Sequence, residues 1–148
     1  MDYNQIKTAI DNGVYQPVYF LQGENTYYID EVANKLLNCV LDDSEKDFNQ
    51  TILYGKDTSV ELILDYAKRY PVMSPYQLIV VREAQHLSRS IEKLEAYFKQ
   101  PVLTSIVVFC YKGKKIDKRK AVGKTLSKFK FLFDSEPVKD YQLPDWVM

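Results

Sequence analysis

The chain has 148 residues, of which 46% are hydrophobic and only 5 are Gly and 6 Pro, so low-complexity and disordered classes are excluded. Twenty Lys and Arg cancel twenty Asp and Glu to a formal net charge of zero, which by itself points to neither a nucleic-acid binder nor a polybasic membrane anchor. No apolar run approaches a membrane span, and the first thirty residues lack the basic start and apolar run of a signal peptide. A cytoplasmic location is therefore expected, with Cys39 and Cys110 as reduced thiols packed in apolar surroundings.

The zero conceals a strong asymmetry. Lys112 to Lys130 holds nine basic residues and one acid, Asp117, which leaves eleven bases against nineteen acids elsewhere. Such a density of positive charge suits either phosphate contact or a solvated surface that balances acids on other elements.

Ile6, Ala9, Ile10 and Val14 stand at helical spacing before an Asn12-Gly13 stop. Pro17 to Gln22 reads as a short buried strand ended by Gly23. Asn25 or Thr26 caps a second helix, whose apolar face is Ile29, Val32, Ala33, Leu36, Leu37 and Val40. Asp42–Asp47 reads as a loop, and Phe48–Tyr54 as a strand with Phe48, Gln50, Ile52 and Tyr54 on one face.

Thr58 and Glu61 match a capping box opening a helix that ends near Tyr70, before Pro71. Gln77–Arg82 is an apolar strand, Ser90 is placed to cap a helix through Phe98, and Ser105–Tyr111 is the longest apolar run. A basic helix over about 118–127 and a strand at Lys130–Phe133 complete the series. Strands that are continuous apolar runs belong in a sheet covered on both faces. The expected fold is α/β, three-layered, with a mainly parallel five-stranded sheet between helices.

In such a fold phosphate binds at the first strand-to-helix turn. Here that turn starts at Gly23, but Tyr28, Ile29 and Asp30 occupy the places where a phosphate loop needs Gly, Lys and a hydroxyl. An acid at the last place repels phosphate. Gly123-Lys124-Thr125 is no substitute, because Lys118 stands where the first glycine belongs. Arg82 takes the position of a metal-binding acid at the end of an apolar strand. One His and two distant Cys give no metal pattern, and His86 has no nucleophile in its sequence context. What remains is the basic stretch and a rigid turn, Tyr70-Pro-Val-Met-Ser-Pro-Tyr76, whose Val72 and Met73 are free to face outward.

The order of Pro17–Asn25, Phe48-Asn49, Pro71-Val-Met-Ser74, Leu78–Gln85, Leu94–Pro101, Ile116–Lys120 and Leu143-Pro-Asp-Trp146 resembles the delta subunit of bacterial DNA polymerase III. The resemblance implies a clamp-loader component with an AAA+-like fold and no working phosphate loop, the degenerate positions being Gly23, Tyr28, Ile29 and Asp30. It implies that residues 1–140 form the clamp-binding domain and 141–148 begin a lid domain. It also implies that Pro71, Val72 and Met73 hold the sliding beta clamp, where family members commonly carry Pro-Phe-Phe-Ser. ATP would be bound by partner subunits, with no cofactor or catalysis in this chain, and gamma/tau and delta prime would be the other clamp-loader subunits it assembles with. Primed DNA would be met through the assembled complex. Lys114, Lys115, Lys118, Arg119, Lys120 and Lys124 are the candidate DNA or partner contacts. A nucleic-acid-binding module built on Lys112–Lys130 and a nucleotide-hydrolysing enzyme are the rival readings.

Overall fold

A computed structural model describes residues 3–135. The helices are α1 (Tyr3–Asp11), α2 (Thr26–Cys39), α3 (Asp43–Asn49), α4 (Val60–Ala67), α5 (Glu95–Lys99) and α6 (Ala121–Lys128). The strands are β1 (Val18–Gly23), β2 (Gln50–Tyr54), β3 (Gln77–Arg82), β4 (Ser105–Lys112) and β5 (Leu132–Asp134). They form one sheet in the order β2-β3-β4-β1-β5, and every pairing is parallel.

The period-two geometry of a strand divides each apolar run between two cores. Val18, Phe20, Ile79, Val81, Val107 and Phe109 pack with Ile63 and Ala67 of α4, Phe98 of α5 and Leu126 of α6. Tyr19, Leu21, Leu78, Val80, Ile106 and Val108 pack on the other face with Ile6 and Ile10 of α1 and Ile29, Val32 and Leu36 of α2. This is the three-layer architecture expected from the sequence, with the sheet wholly parallel.

Local boundaries differ in several places. Val14 lies beyond α1 and is exposed, because the chain turns at Gly13, whose φ is +73°. Asp42–Asp47 is mostly helix α3 instead of a loop, and Phe48 belongs to that helix and not to β2. The Asp42 N–H donates to Glu45 Oε1 at 2.9 Å, so an acid three places on satisfies a free helix-start donor. The cap of α4 is Ser59, whose Oγ accepts from Leu62 N at 3.1 Å; Thr58 Oγ1 has no such partner. Ser90 caps nothing: the segment forms two 3-10 turns, Ala84–Leu87 and Ile91–Leu94, before the short α5. Strand β5 starts two residues later than expected, after Lys130 takes a left-handed φ of +61°. Cys110 is buried as expected, whereas Cys39 is exposed at the end of α2. The expected lid-domain start at 141–148, and the Leu143–Trp146 motif, lie outside the described residues.

Candidate functional site

In a parallel sheet the ligand crevice lies beyond the carboxyl ends of the strands, where consecutive connections leave in opposite directions. Here that point is the end of β1, between β4 and β5. Gly23 has φ +126°, and a Cβ there would collide with the Ser135 backbone carbonyl. The chain fills this place with its own groups. Asn25 N donates to Ser135 O at 3.3 Å, Ser135 Oγ donates to Asn25 O at 2.7 Å, and Ser135 N donates to Gln22 O at 2.7 Å. Gln22, buried, accepts from Ile116 N through Oε1 at 2.7 Å. Of the phosphate-loop positions, Ile29 is buried in the core, and Tyr28 leans on Tyr3 and Tyr27 at ring distances of 4.8 and 5.2 Å.

Asp30 faces a cation supplied by the protein itself. Lys112 Nζ, from the end of β4, stands 2.7 Å from Asp30 Oδ1 and 3.6 Å from Glu83 Oε2. Glu83 reaches this bridge from a left-handed backbone, φ +54°. Burial pulls the Lys112 ammonium downward, but the Asp30 hydrogen bond and the charges of Asp30 and Glu83 outweigh it, and the group is held above its ordinary value. Arg82 turns aside and donates to Asn34 Oδ1 at 3.3 Å. Gly123 sits inside α6, packed so closely on Asp117 and Lys118 that no side chain fits, which suits a helix contact and not a phosphate loop. His86 is exposed, and no group of three or more His, Cys, Asp or Glu among the described residues is placed to hold a metal ion.

The basic stretch is not one open face. Lys115 and Lys118 converge on Asp134 at 3.5 and 3.6 Å, Arg119 folds back on Asp117 at 3.2 Å, and Lys120 reaches Glu92 at 3.2 Å. Hydrogen bonds from Arg119 hold the Asp117 carboxyl below the usual carboxylate range. Lys114 and Lys124 are exposed, with no ion pair among the described residues.

The opposite end of the sheet carries the Tyr70–Tyr76 turn. Pro71 is half-buried, while Val72 is 52% and Met73 97% exposed. The turn is nonetheless held. Asn49, buried at the end of α3, accepts from Val72 N through Oδ1 at 2.6 Å. Its Nδ2 donates to Val72 O at 2.9 Å and to Glu45 O at 3.0 Å. One amide thus fixes both backbone polar groups of Val72. Met73 adopts a left-handed φ of +54°, a conformation costing a non-glycine residue about 1–2 kcal/mol. Ser74 closes the turn, its Oγ donating to Tyr76 O at 2.9 Å. Asn49 was not singled out as a site residue from the sequence. The signal that finds it is Asp42-x-x-Glu45, a helix-start pattern that brings α3 to its end at Asn49.

An all-parallel sheet in the order β2-β3-β4-β1-β5, between two layers of helices and with a helix after its first strand, gives a domain of AAA+-like fold, in which Ser135 bonds Asn25 and Lys112 pairs with Asp30 beyond that strand. A sequence profile described as DNA polymerase III, delta subunit, matches residues 19–136. The DNA polymerase III subunit delta of Bacillus subtilis (strain 168) is 23% identical over 149 residues, covering 95% of this chain and 43% of that protein. Among solved structures, a Bacillus subtilis DNA clamp loader delta protein superposes with a TM-score of 0.80 at 24% identity, over 93% of this chain and 43% of that one. A DNA polymerase III gamma subunit-related protein from Thermotoga maritima superposes with a TM-score of 0.57 at 13% identity, over 95% of this chain and 47% of that one. The chain belongs to the DNA polymerase III delta-subunit family. It spans less than half the length of these relatives.

Proposed function

We propose that this chain is the clamp-holding domain of a clamp-loader delta subunit, and that it works mechanically, without catalysis or a cofactor of its own. The observation that carries this reading is the exposure of Val72 and Met73 on a backbone fixed by Asn49. Rigid exposed apolar side chains lose little entropy on docking, so their burial converts efficiently into affinity. Val72 and Met73 enter an apolar pocket of the sliding beta clamp, with Pro71 setting the entry of the turn. The ring opens to the extent that this contact is better made in the open state.

ATP binding then falls to partner subunits of the gamma/tau and delta prime assembly, because here Ser135 packs on the Gly23 turn and Lys112 pairs with Asp30. Primed DNA is met through the assembled cytoplasmic complex, with Lys114 and Lys124 among this domain's exposed cations. No helix among the described residues is long and apolar enough to cross a membrane. The test is co-elution with the same organism's sliding clamp. The double variant V72D/M73D is expected to keep the native circular dichroism and lose the clamp. A variant that still co-elutes overturns the reading.

A further inference from the structure

A parallel sheet sends every chain entry to the same edge, so the segments leading into the five strands lie side by side. Most of the large exposed apolar side chains sit in these segments, and the neighbours of the Val72–Met73 turn are the informative ones. Phe48, 76% exposed, leads into β2, and Leu103, 73% exposed, leads into β4. β2 and β4 flank β3, into which the turn leads. One neighbour is tied by hydrogen bonds to the turn, the other to the first residue of the strand the turn leads into. Asn49, next to Phe48, grips Val72, and Thr104, next to Leu103, accepts from Gln77 N at 2.9 Å. Adjacent strands are about 4.8 Å apart, so the three entries fall within roughly 10 Å across the edge.

Resting on the clamp-binding reading above, we propose that Phe48 and Leu103 are further anchors for the sliding clamp, one on each side of the Val72–Met73 turn. The occupant is the clamp because the three entries form one continuous edge whose centre is the turn proposed to hold it. The arrangement also supplies an aromatic ring to a docking surface whose turn carries Val and Met. The side chains are exposed and cover little of the core, so their removal leaves the fold in place.

The experiment measures binding of the full-length chain to immobilised clamp of the same organism by surface plasmon resonance. The variants are Phe48→Ala, Leu103→Ala, V72D/M73D and, at the far edge of the sheet, Tyr27→Ala. Phe48→Ala and Leu103→Ala are each expected to weaken binding by about tenfold, chiefly through faster dissociation, and Tyr27→Ala by less than about twofold. If V72D/M73D abolishes binding while Phe48→Ala and Leu103→Ala leave it unchanged, the anchors are confined to the turn and the proposal falls while the clamp reading stands. If V72D/M73D binds normally, the clamp reading itself falls. Sedimentation of the same proteins covers the other occupant. A self-association that Phe48→Ala abolishes, with clamp affinity unchanged, assigns the edge to a second copy and overturns the proposal.

Discussion

Replacing Asn49 by Ala separates the rigidity of the turn from its apolar surface, because it leaves Val72 and Met73 chemically untouched. Three hydrogen bonds disappear, to Val72 N, Val72 O and Glu45 O. Each has a net worth of about 1 kcal/mol, but Val72 is half exposed and water replaces part of what is lost, so a destabilisation of about 1–2 kcal/mol is expected. With a urea m-value of about 2 kcal/mol/M, the midpoint falls by roughly 0.5–1 M with m unchanged. The larger consequence is for docking. Without the Asn49 grip only the Ser74–Tyr76 bond still braces the turn against a Met73 conformation disfavoured by about 1–2 kcal/mol, and it relaxes toward other states. Reordering it on binding then costs about 1.4 kcal/mol, a tenfold loss of clamp affinity. Asn49→Asp is the sharper variant. Its carboxylate still accepts from Val72 N but faces two carbonyl oxygens, so it binds the clamp worse than Asn49→Ala at pH 7. It recovers in mild acid, as protonation restores an O–H donor. Surface plasmon resonance between pH 5 and 8 reads both effects. Clamp affinity unchanged in Asn49→Ala, at temperatures where the fold is intact, would refute the claim that the turn is pre-organised.

The other expectations concern the Gly23 turn, the Lys112 bridge and the two cysteines. Gly23→Ala forces a Cβ into the Ser135 carbonyl at φ +126° and is expected to lower stability by more than about 2 kcal/mol, read as a fall in the thermal midpoint; a variant as stable as the parent contradicts this packing. Lys112→Met leaves Asp30 and Glu83 without their shared cation, and this partly solvated bridge is expected to cost about 1 kcal/mol in low salt and less in 1 M NaCl, measured by urea unfolding. Burial pushes the Cys110 thiol and the Tyr19 hydroxyl up to about 12, whereas the unfolded chain releases those protons near 9.0 and 10.0. The native state therefore binds more protons in that window, and stability is full below about pH 9 and falls as pH rises toward 12. Cys110→Val is expected to flatten the first part of this decline in pH-dependent urea midpoints. Since Cys39 is exposed and Cys110 buried, the native protein should react with one equivalent of a thiol reagent and the unfolded protein with two.

The sheet was legible because each strand is a run of apolar residues buried on both sides, a pattern that survives without tertiary context. The residue types after Gly23 were legible, but where they point was not: Ile29 goes into the core and Asp30 meets Lys112, a partner that only folding brings to it. Helix α3 was not legible from hydrophobic periodicity, because Asp43–Asn49 has only one large apolar residue, and that residue, Phe48, faces solvent. Its signal was the Asp42–Glu45 start, which lies in a stretch polar enough to pass for a loop. The fate of the basic stretch was illegible on principle. Whether Lys115, Lys118 and Lys120 are free depends on Asp134 and Glu92, which only folding brings to them.

The two edges of the sheet differ in what the chain builds on them. At the carboxyl edge it joins its own groups: Ser135 O accepts from Asn25 N, and Lys112 bridges Asp30 and Glu83. Its amino edge, normally a plain set of chain entries, carries a buried amide aimed at a strained and exposed turn. A left-handed Met73 costs free energy and covers no core, so packing alone gives no reason for it. The docking proposed above supplies one, since a turn held in one shape before contact gives up less on binding. Under that proposal the amino edge, and not the neutral total charge, carries the function.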